Sequence, residues 1–206
     1  MRYLNVLVVV CLISFLLPGC GKKKSTKSSP EDANSLTVFE PLKVGNWWKY
    51  EKVLWEEGGY SEVDTYAVAI VSEDTVLGGK VAFRLVEDEG SDTEWLVIVD
   101  DELRMYEDFP DETSDYYIFL KLPLKVGNRW RHYSGQIGGQ TLWAEIVSTT
   151  ATVDVPAGTF ENCVQVYTAP YYNAWFTKGV GPVEWSNCNI DSTYGADEKL
   201  LEYYVE

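Results

Sequence analysis

Histidine is nearly absent from this sequence of 206 residues, in which His132 is the single one. Catalytic relays that pair histidine with serine or cysteine, and metal centres built from several histidines, are therefore poorly supported. No glycine-rich loop stands before a helix, where it could cradle phosphate groups. We therefore expect a protein that is not an enzyme and that binds neither a cofactor nor a metal.

Basic residues are scarce as well, with 17 lysines and arginines against 32 aspartates and glutamates. Five of the 17 lie at or before Lys27, which leaves 12 in the remainder of the chain and a formal charge there of −20. Such a charge repels polyanions, so we expect no nucleic acid partner. So many carboxylates make chance pairs inevitable, and a carboxylate-based hydrolase is kept only as a weaker alternative.

Two acidic stretches, Glu87–Asp92 and Glu107–Asp115, could supply the oxygen ligands of Ca²⁺. Neither has the regular Asp spacing and distal glutamate of a calcium-binding loop. We interpret both as solvated loops.

Only four cysteines occur, and Cys163 and Cys188 are the two that follow the N-terminal region. In an oxidising compartment an even pair could form a disulfide. If the strands around them form a simple meander, however, the two residues fall at opposite ends, beyond the Cα separation that a disulfide tolerates. The alternative is two buried thiols, and both interpretations stay open.

The longest apolar run, Leu4 to Leu17, is too short for a comfortable membrane span and is typical of a signal peptide. Residues 17–20, Leu-Pro-Gly-Cys, resemble the lipobox of bacterial lipoproteins. That resemblance implies cleavage after residue 19 and acylation of Cys20, so that a lipid anchor holds the chain to a membrane. Gly21 stands where the inner-membrane retention signal of that family has aspartate. The resemblance therefore implies a cell-envelope protein at the outer membrane, facing the periplasm or the cell surface.

Residues 20–36 are polar and rich in serine and lysine, which predicts a flexible, lipidated tether. The remainder, 37–206, is predicted to be a single β domain built from two internal repeats, 41–115 and 123–206. The repeats are recognised chiefly from one motif: Pro-Leu-Lys-Val-Gly-Asn begins at residue 41 and again at residue 123, and shorter matches at similar offsets follow it. Each copy places a glycine in a turn and a tryptophan in the following strand. Gly45, Trp48, Gly127 and Trp130 are the predicted structural anchors.

The two copies also separate the faces of that strand, because Trp48 is matched by Trp130 whereas Trp47 is matched by Arg129. We expect the matched tryptophans to face the core and Trp47 to point away from it. The second copy ends in His132 where the first has Tyr50, so the histidine is interpreted as a partly buried strand residue.

Short alternating segments and the absence of a sustained helical period predict an all-β protein. Predicted strands are 50–55, 61–72, 80–86, 94–99, 102–106, 133–136, 140–149, 160–167, 173–177, 182–185 and 199–205, with a turn at 155–158. The segments 66–71 and 95–99 are apolar on both faces, so something must cover the second face. A second sheet, the segment 116–120, a curled barrel wall or a ligand could do so. Cover by the protein itself is the commoner case.

The repeated motif, together with residues 155–166 (Val-Pro-Ala-Gly-Thr-Phe-Glu-Asn-Cys-Val-Gln-Val) and 179–183 (Gly-Val-Gly-Pro-Val), resembles a broad group of bacterial exported proteins. Most members are lipoproteins of unknown function. The resemblance implies a strongly curved antiparallel sheet, half-barrel-like or sandwich-like, as in lipoprotein-carrier proteins. It brings no catalytic residues with it.

The sequence has eight tryptophans and fourteen tyrosines. Exposed aromatics bind lipids, sugars or proteins, whereas the commoner role of any one of them is to fill a thin β core. Trp47, Trp55, Trp143 and the pair Tyr171 and Tyr172 at a predicted hairpin tip are candidates. The sequence thus favours a lipid-anchored, non-enzymatic binding module, with a lipophilic molecule as one possible ligand and an envelope protein as the alternative partner.

Overall fold

The computed structural model describes residues 35–76, 78–88, 92–136, 139–169, 172–189 and 193–206. The predicted signal peptide, the lipid attachment residue Cys20 and the tether as far as residue 34 lie outside the described residues, as does Tyr171. Leu36 is only 2% exposed, so packing begins one residue before the predicted start of the domain. In the part that is described, no helix is both long and apolar enough to cross a membrane.

Within these ranges the chain forms one helical turn, α1 (Leu36–Phe39), and twelve strands. The strands are β1 (Trp47–Glu56), β2 (Gly59–Val76), β3 (Lys80–Glu87), β4 (Asp92–Val99), β5 (Glu102–Tyr106), β6 (Tyr117–Lys121), β7 (Arg129–Arg131), β8 (Trp143–Val155), β9 (Gly158–Thr168), β10 (Tyr172–Thr177), β11 (Gly181–Cys188) and β12 (Tyr194–Tyr204). The fold is nearly all-β, which confirms the class predicted from the alternating pattern.

All twelve strands belong to one antiparallel sheet, in the order β6-β5-β4-β3-β2-β1-β12-β11-β10-β9-β8-β7. β1 and β12, the first and last strands, pair along ten residues from Trp47 opposite Tyr204 to Glu56 opposite Tyr194. At the other end of the order, β6 meets the chain around β7 through a bridge between Tyr117 and Tyr133. The curvature that was predicted therefore goes further than a half-barrel, because the sheet is nearly closed and barrel-like.

The short contact between β6 and β7 is here called the seam, and it comprises residues 116–118 and 130–134. The Ile118 amide donates to the carbonyl oxygen of His132 at 2.7 Å, and the Ser134 amide donates to that of Tyr116 at 2.9 Å. The Trp130 indole N–H adds a bond of 2.9 Å to the Ile118 carbonyl oxygen. Few hydrogen bonds therefore close the sheet on this side.

The turns that precede β1 and β7 make matching hydrogen bonds. The Gly45 amide donates to the Ile70 carbonyl and the Gly127 amide to the Ile146 carbonyl, both at 2.9 Å. Both glycines have positive φ, +98° and +83°, a conformation that glycine adopts without a steric cost. The two predicted anchor turns are thus alike in geometry. β6 falls between the two predicted repeats.

Trp48 and Trp130 are buried, 2% and 3% exposed, and Trp47 is half-buried on the opposite face of β1. These positions agree with the comparison of the two copies. The main core lies inside the curled sheet and takes in α1. A second cluster on the other face of β3–β5 includes Val97 and Tyr106. Phe109 and Tyr116, which flank the loop after β5, pack on that cluster.

Several predicted strands differ from the observed ones. Residues 133–136 form only a bridge at Tyr133, and strand β8 begins at Trp143 rather than Gln140. By contrast, Pro156 and Ala157 form the turn between β8 and β9 that was predicted at residues 155–158. The segment 116–120 was one candidate to cover the second face of the sheet. It does not lie over that face, because residues 117–121 form strand β6 of the sheet itself. These errors fall where short apolar runs fit either a strand or a turn.

Candidate functional site

The curled sheet and α1 enclose an interior cavity of about 260 Å³. Its lining combines aromatic rings, aliphatic side chains, one amide and four carboxyl groups. The lining residues are Glu40, Trp48, Tyr50, Tyr66, Val68, Leu85, Glu87, Glu94, Leu96, Phe119, Tyr172, Phe176, Pro182, Trp185, Asn187 and Glu198. Among these described residues there is no lysine or arginine. The cavity therefore offers apolar surface together with negative charge.

Three of the aromatic residues form a continuous stack along one wall. The ring of Tyr50 lies between Tyr66, with 5.5 Å between ring centroids, and Trp185, with 5.0 Å. Interplanar angles of 29° and 28° correspond to near-parallel stacking. The Tyr50 hydroxyl donates to the Pro182 carbonyl oxygen at 3.0 Å. Burial is the main cause that raises the pKa of Tyr50, so this wall is neutral.

The register of the sheet explains why these side chains meet. Tyr50 on β1 stands directly opposite Tyr66 on β2. Glu198 on β12 stands opposite Lys52 on β1 and opposite Trp185 on β11. Directly opposed residues of antiparallel strands have their Cβ atoms about 5 Å apart on the same face. Local alternation along three neighbouring strands thus builds the wall of the cavity.

Glu198 is 7% exposed, and its carboxylate is held by several donors. It accepts hydrogen bonds from the Tyr66 hydroxyl and from the Trp185 indole N–H. The ammonium group of Lys52 lies 3.6 Å from Oε1 of the same carboxylate and 5.9 Å from the centroid of the Tyr66 ring. Both oxygens of the Glu198 carboxylate therefore have partners inside the protein.

Glu40 is the second deeply buried acid of the cavity, with 3% of its surface exposed. It directly follows α1, and its amide donates to the Leu36 carbonyl oxygen at 2.9 Å. Its Oε2 lies against the backbone of Gly181, where an added Cβ would be 3.2 Å away. Its carboxyl group makes no hydrogen bond or ion pair with any described residue. Burial raises the pKa of Glu40 to about 8, so the group is mostly protonated at neutral pH.

An acidic cleft of about 370 Å³ adjoins the cavity. The two share the lining residues Val68, Leu85, Glu87 and Glu94, and the cleft extends to Thr93 and Glu107. Glu94 is exposed, so the cavity reaches solvent on this side. A ligand would enter past carboxylates.

The predicted cysteine pair does not belong to this site. Cys163 is fully buried on β9, and its thiol donates to the Phe160 carbonyl oxygen at 3.4 Å. Cys188 ends β11 and is half-buried. No disulfide joins Cys163 to Cys188, which agrees with the separation expected for a meander. Burial also raises the pKa of the Cys163 thiol.

His132 is 7% exposed and lies at the seam, and its ring packs beside those of Phe119 and Tyr172. Its Nδ1 is 3.0 Å from the Ile118 carbonyl oxygen, and burial lowers the pKa of the imidazole. It is a buried structural residue that directly follows β7, whereas the sequence predicted a partly buried residue within the strand. In the described part of the chain, no group of three or more histidine, cysteine or acidic residues could hold a metal ion.

The predicted binding aromatics are dispersed. Tyr172, expected at a hairpin tip, begins β10 and lines the cavity. Trp143 is 44% exposed on the outer surface, with the Arg129 guanidinium 5.0 Å from its ring. Trp47 and Trp55 are half-buried. Among the described residues that were singled out from the sequence as possible binding aromatics, Tyr172 is therefore the one that lines the cavity.

Sequence reasoning missed Glu40 and Glu198. The 82-residue offset between the motifs aligns Glu40 with Leu122. The same kind of mismatch, Trp47 against Arg129, falls on the outer face of β1, so the alignment does not identify Glu40 as an inward-facing acid. Nor does any signal distinguish Glu198 among 32 acidic residues.

No protein-family profile matches the chain, and no curated protein does. Solved structures of similar fold include one from Bacteroides fragilis NCTC 9343, designated an exported protein with a YmcC-like fold. It is 15% identical, with a TM-score of 0.48 over 81% of this chain and 99% of that one. A structure from Parabacteroides distasonis ATCC 8503, designated a lipoprotein, is 12% identical, with a TM-score of 0.45 over 81% and 98% of the two chains.

A third structure is designated an outer membrane lipoprotein-sorting protein domain and comes from Vibrio parahaemolyticus. It is 10% identical, with a TM-score of 0.31 over 77% of this chain and 84% of that one. These likenesses concern the fold alone.

Proposed function

We propose that this protein is a lipid-anchored lipoprotein of the bacterial cell envelope whose β domain is a non-enzymatic binding module for a lipophilic ligand. The observation that supports the ligand is the interior cavity of about 260 Å³ with its aromatic walls. Burial of apolar surface contributes roughly 25 cal/mol per Å², so an apolar group in the cavity is favoured over water. A cavity of this size holds a small molecule or one end of a longer one.

The lipobox at residues 17–20 supports the anchor at Cys20, and Gly21 supports sorting to the outer membrane. The strongly acidic body is repelled by anionic lipid surfaces and by nucleic acid. Acyl chains contribute about 0.8 kcal/mol per buried CH₂ and outweigh that repulsion. The tether of residues 20–36 then sets how far the β domain stands from the membrane.

Native mass spectrometry tests the ligand. The soluble chain that begins after Lys27 is purified without detergent and its mass is measured. We expect extra mass that organic solvent removes. A clean apo mass, repeated after incubation with an envelope lipid extract, would contradict the proposal.

A pair of variants on β2 makes the test specific to the cavity. Val68 lines the cavity, whereas Val63 on the same strand is 61% exposed. Val68→Phe fills part of the space and should reduce the extra mass, and Val63→Phe should leave it unchanged. Equal retention by both variants would place the ligand elsewhere on the protein.

A protein–protein interaction module is the alternative function, and the exposed Trp143 with its stacked Arg129 is the observation that favours it. Tryptophan and arginine are enriched in the residues that dominate protein interfaces. A photo-crosslinking residue at position 143 should capture one defined envelope protein. Capture of no protein, or of the same set from position 63, would count against this function.

A carboxylate-based hydrolase is a weaker alternative, favoured by the two buried acids Glu40 and Glu198 that line the cavity. Glycosidases act with a pair of carboxyl groups. However, the Glu198 carboxylate is already engaged by Tyr66, Trp185 and Lys52. Nitrophenyl glycosides should therefore not be hydrolysed; turnover that Glu40→Gln abolishes would establish an enzyme instead.

A further inference from the structure

We infer that the ligand of the interior cavity is an organic cation, an amine or quaternary ammonium group that carries apolar substituents. This inference rests on the proposed function, because it takes the cavity to be a ligand site. It adds the charge of the ligand, which the apolar walls alone do not specify. Three independent features of the cavity support it.

The first feature is the unpartnered carboxyl group of Glu40. The side chain is 3% exposed and lines the cavity, and no described residue donates to it or pairs with it. The carboxyl group lies against the backbone of Gly181. This glycine has no side chain, so it leaves room for the carboxyl group and supplies no charge. A buried acid without a partner is costly to stability. A positively charged group in the cavity would provide the partner that the protein does not.

The charged and titratable groups around Glu40 do not act as a positively charged partner for its carboxyl group. Tyr50 on β1 and Tyr172 on β10 face the cavity as neutral phenols, since burial raises the pKa of each. Glu198 on β12 already has Lys52 at 3.6 Å. Lys178 lies outside, 5.5 Å above the ring of Phe39. Among the described residues, none supplies a cation to Glu40.

The second feature is the aromatic wall. A cation within about 6 Å of a ring centroid is attracted to the face of the ring, most strongly where water is excluded. Tyr66 and Trp185 cover both faces of Tyr50, so Trp185, which ends the stack, and Trp48 are the lining rings that can present a face to a cation. Aromatic ring faces are the usual recognition surface for quaternary ammonium groups.

The chain itself shows this chemistry at one end of the wall. The Lys52 ammonium stands between the Glu198 carboxylate, 3.6 Å away, and the Tyr66 ring, 5.9 Å from its centroid. An ammonium group from a ligand would occupy the equivalent relation to Glu40 and the neighbouring rings.

The third feature is the entrance. Glu87 and Glu94 line both the cavity and the adjoining cleft, and Glu107 lies further out in the cleft. Neither lining contains a basic residue among those the structure describes. A negatively lined opening concentrates cations and repels anions. A fatty acid or another carboxylate ligand is therefore disfavoured, although it is equally lipophilic.

Isothermal titration of the full-length chain, extracted from membranes into a non-ionic detergent, tests the inference. The probes are choline, its neutral isostere 3,3-dimethylbutan-1-ol and the anion octanoate, at pH 9 in a buffer without amines. We expect choline to bind at least tenfold more tightly than the neutral isostere, and octanoate not to bind.

Variants connect the preference to Glu40. Glu40→Gln keeps the shape of the side chain and removes its charge, so choline should lose about tenfold in affinity while the neutral isostere is unchanged. Glu40→Asp keeps the charge and should keep the preference for choline. Glu161→Gln, at an exposed position on β9, is the matched control and should behave like the wild type. Circular dichroism and the melting temperature of each variant establish that it is folded.

The outcomes separate this inference from the proposed function. Equal affinity for choline and its isostere, or no effect of Glu40→Gln, would overturn the inference that the ligand is a cation. Binding of the neutral probe in that case would still support a lipophilic site. Preferential binding of octanoate would likewise overturn the cationic ligand, while the proposed function as a binding module would stand. Absence of binding by all three probes at millimolar concentration overturns both.

Discussion

Glu40 is buried in a protein whose other acids are mostly solvated or paired, and the cost of that burial is measurable. The pKa of its carboxyl is about 8, against 4.5 for an exposed glutamate. Between these two values the folded chain keeps a proton that the unfolded chain has lost. Stability must therefore fall as the pH rises through this window.

The Glu40→Gln variant removes that dependence. Relative to the wild type, the free energy of unfolding of the variant should rise by up to about 1.4 kcal/mol per pH unit. The gain should begin near pH 4.5 and level off above about pH 8, the two pKa values of the group. Urea denaturation at pH 5, 7 and 9 measures it. Because other groups titrate equally in both chains, the difference isolates Glu40.

The exposed Glu161→Gln variant serves as the control and should show no difference from the wild type at any of the three pH values. A pH-independent difference for Glu40→Gln would contradict the raised pKa. Such an outcome would mean that the carboxyl is paired or hydrated in the folded protein.

The asparagines of the two anchor turns allow a second prediction for single residues. Asn46 is 1% exposed; its Nδ2 donates to the Pro41 carbonyl at 2.7 Å, and its Oδ1 accepts from the Glu206 amide at 3.1 Å. Asn128 is half-buried and donates to the carbonyls of Lys121 and Pro123 at 2.9 and 3.0 Å. Loss of a buried hydrogen-bonding group costs about 1–3 kcal/mol.

Both Asn46→Ala and Asn128→Ala should therefore destabilise the protein in urea denaturation, with Asn46→Ala at the upper end of that range. The deeper burial of Asn46 and its bond to the C-terminal residue give it the larger effect. A larger loss for Asn128→Ala would show that closure at β1 and β12 depends less on this turn than the contacts indicate.

At the scale of strands, the two closures of the sheet differ in extent. β1 and β12 are paired over ten residues, whereas the seam has one bridge and a few hydrogen bonds around it. Segments with few contacts open locally at low free energy. The seam should therefore be the place where the barrel-like sheet opens first.

Hydrogen exchange followed by mass spectrometry checks this difference. Amides of residues 116–118 and 132–134 should exchange at least tenfold faster than those in the middle of β1 and β12. Trp130→Phe, which removes the indole donor to the Ile118 carbonyl, should accelerate exchange at the seam further and leave β1 unaffected. Equal protection on both sides would contradict the weak seam.

Individual strands followed from alternation in the sequence, and β5, for example, has the predicted bounds of 102–106. The turns at Gly45 and Gly127 followed from a repeated motif whose glycines need positive φ. The closure of the sheet could not be predicted from the sequence, because the pairing of β1 with β12 joins residues more than 130 positions apart. A period-two pattern specifies which face is buried and does not specify the partner strand.

The cavity was predictable only in part, because a period-two pattern specifies buried faces and not partner strands. Strands apolar on both faces indicated an enclosed surface, but cover by a loop and cover by a curled wall produce the same alternation. The structure uses both, since a loop packs on the outer face of β3–β5 and the curled wall encloses the inner face. Which acids enter the cavity depends on the register of β12 with β1 and β11, and the sequence alone does not contain that register.

At the scale of the whole molecule, the excess negative charge acts on stability as well as on partners. The body of the chain carries 12 basic residues against 32 acidic ones, so most carboxylates have no cation to pair with. Repulsion among exposed charges destabilises the compact state and is screened by salt. The Debye length shortens from about 30 Å at 0.01 M salt to about 8 Å at 0.15 M. The melting temperature should therefore rise by a few degrees when NaCl is added over this range.

Choline chloride at the same ionic strength distinguishes screening from occupancy of the cavity. Both salts screen equally, whereas a cation that binds only the folded state stabilises it further, by RT ln(1 + [L]/Kd). The melting temperature at pH 9 should thus be higher in choline chloride than in NaCl for the wild type and for Glu161→Gln. In Glu40→Gln the two salts should give nearly the same value. If Glu40→Gln still melts at a higher temperature in choline chloride than in NaCl, choline acts at some other surface. If the wild type melts at the same temperature in both salts, the salts act on this protein only by screening its charges.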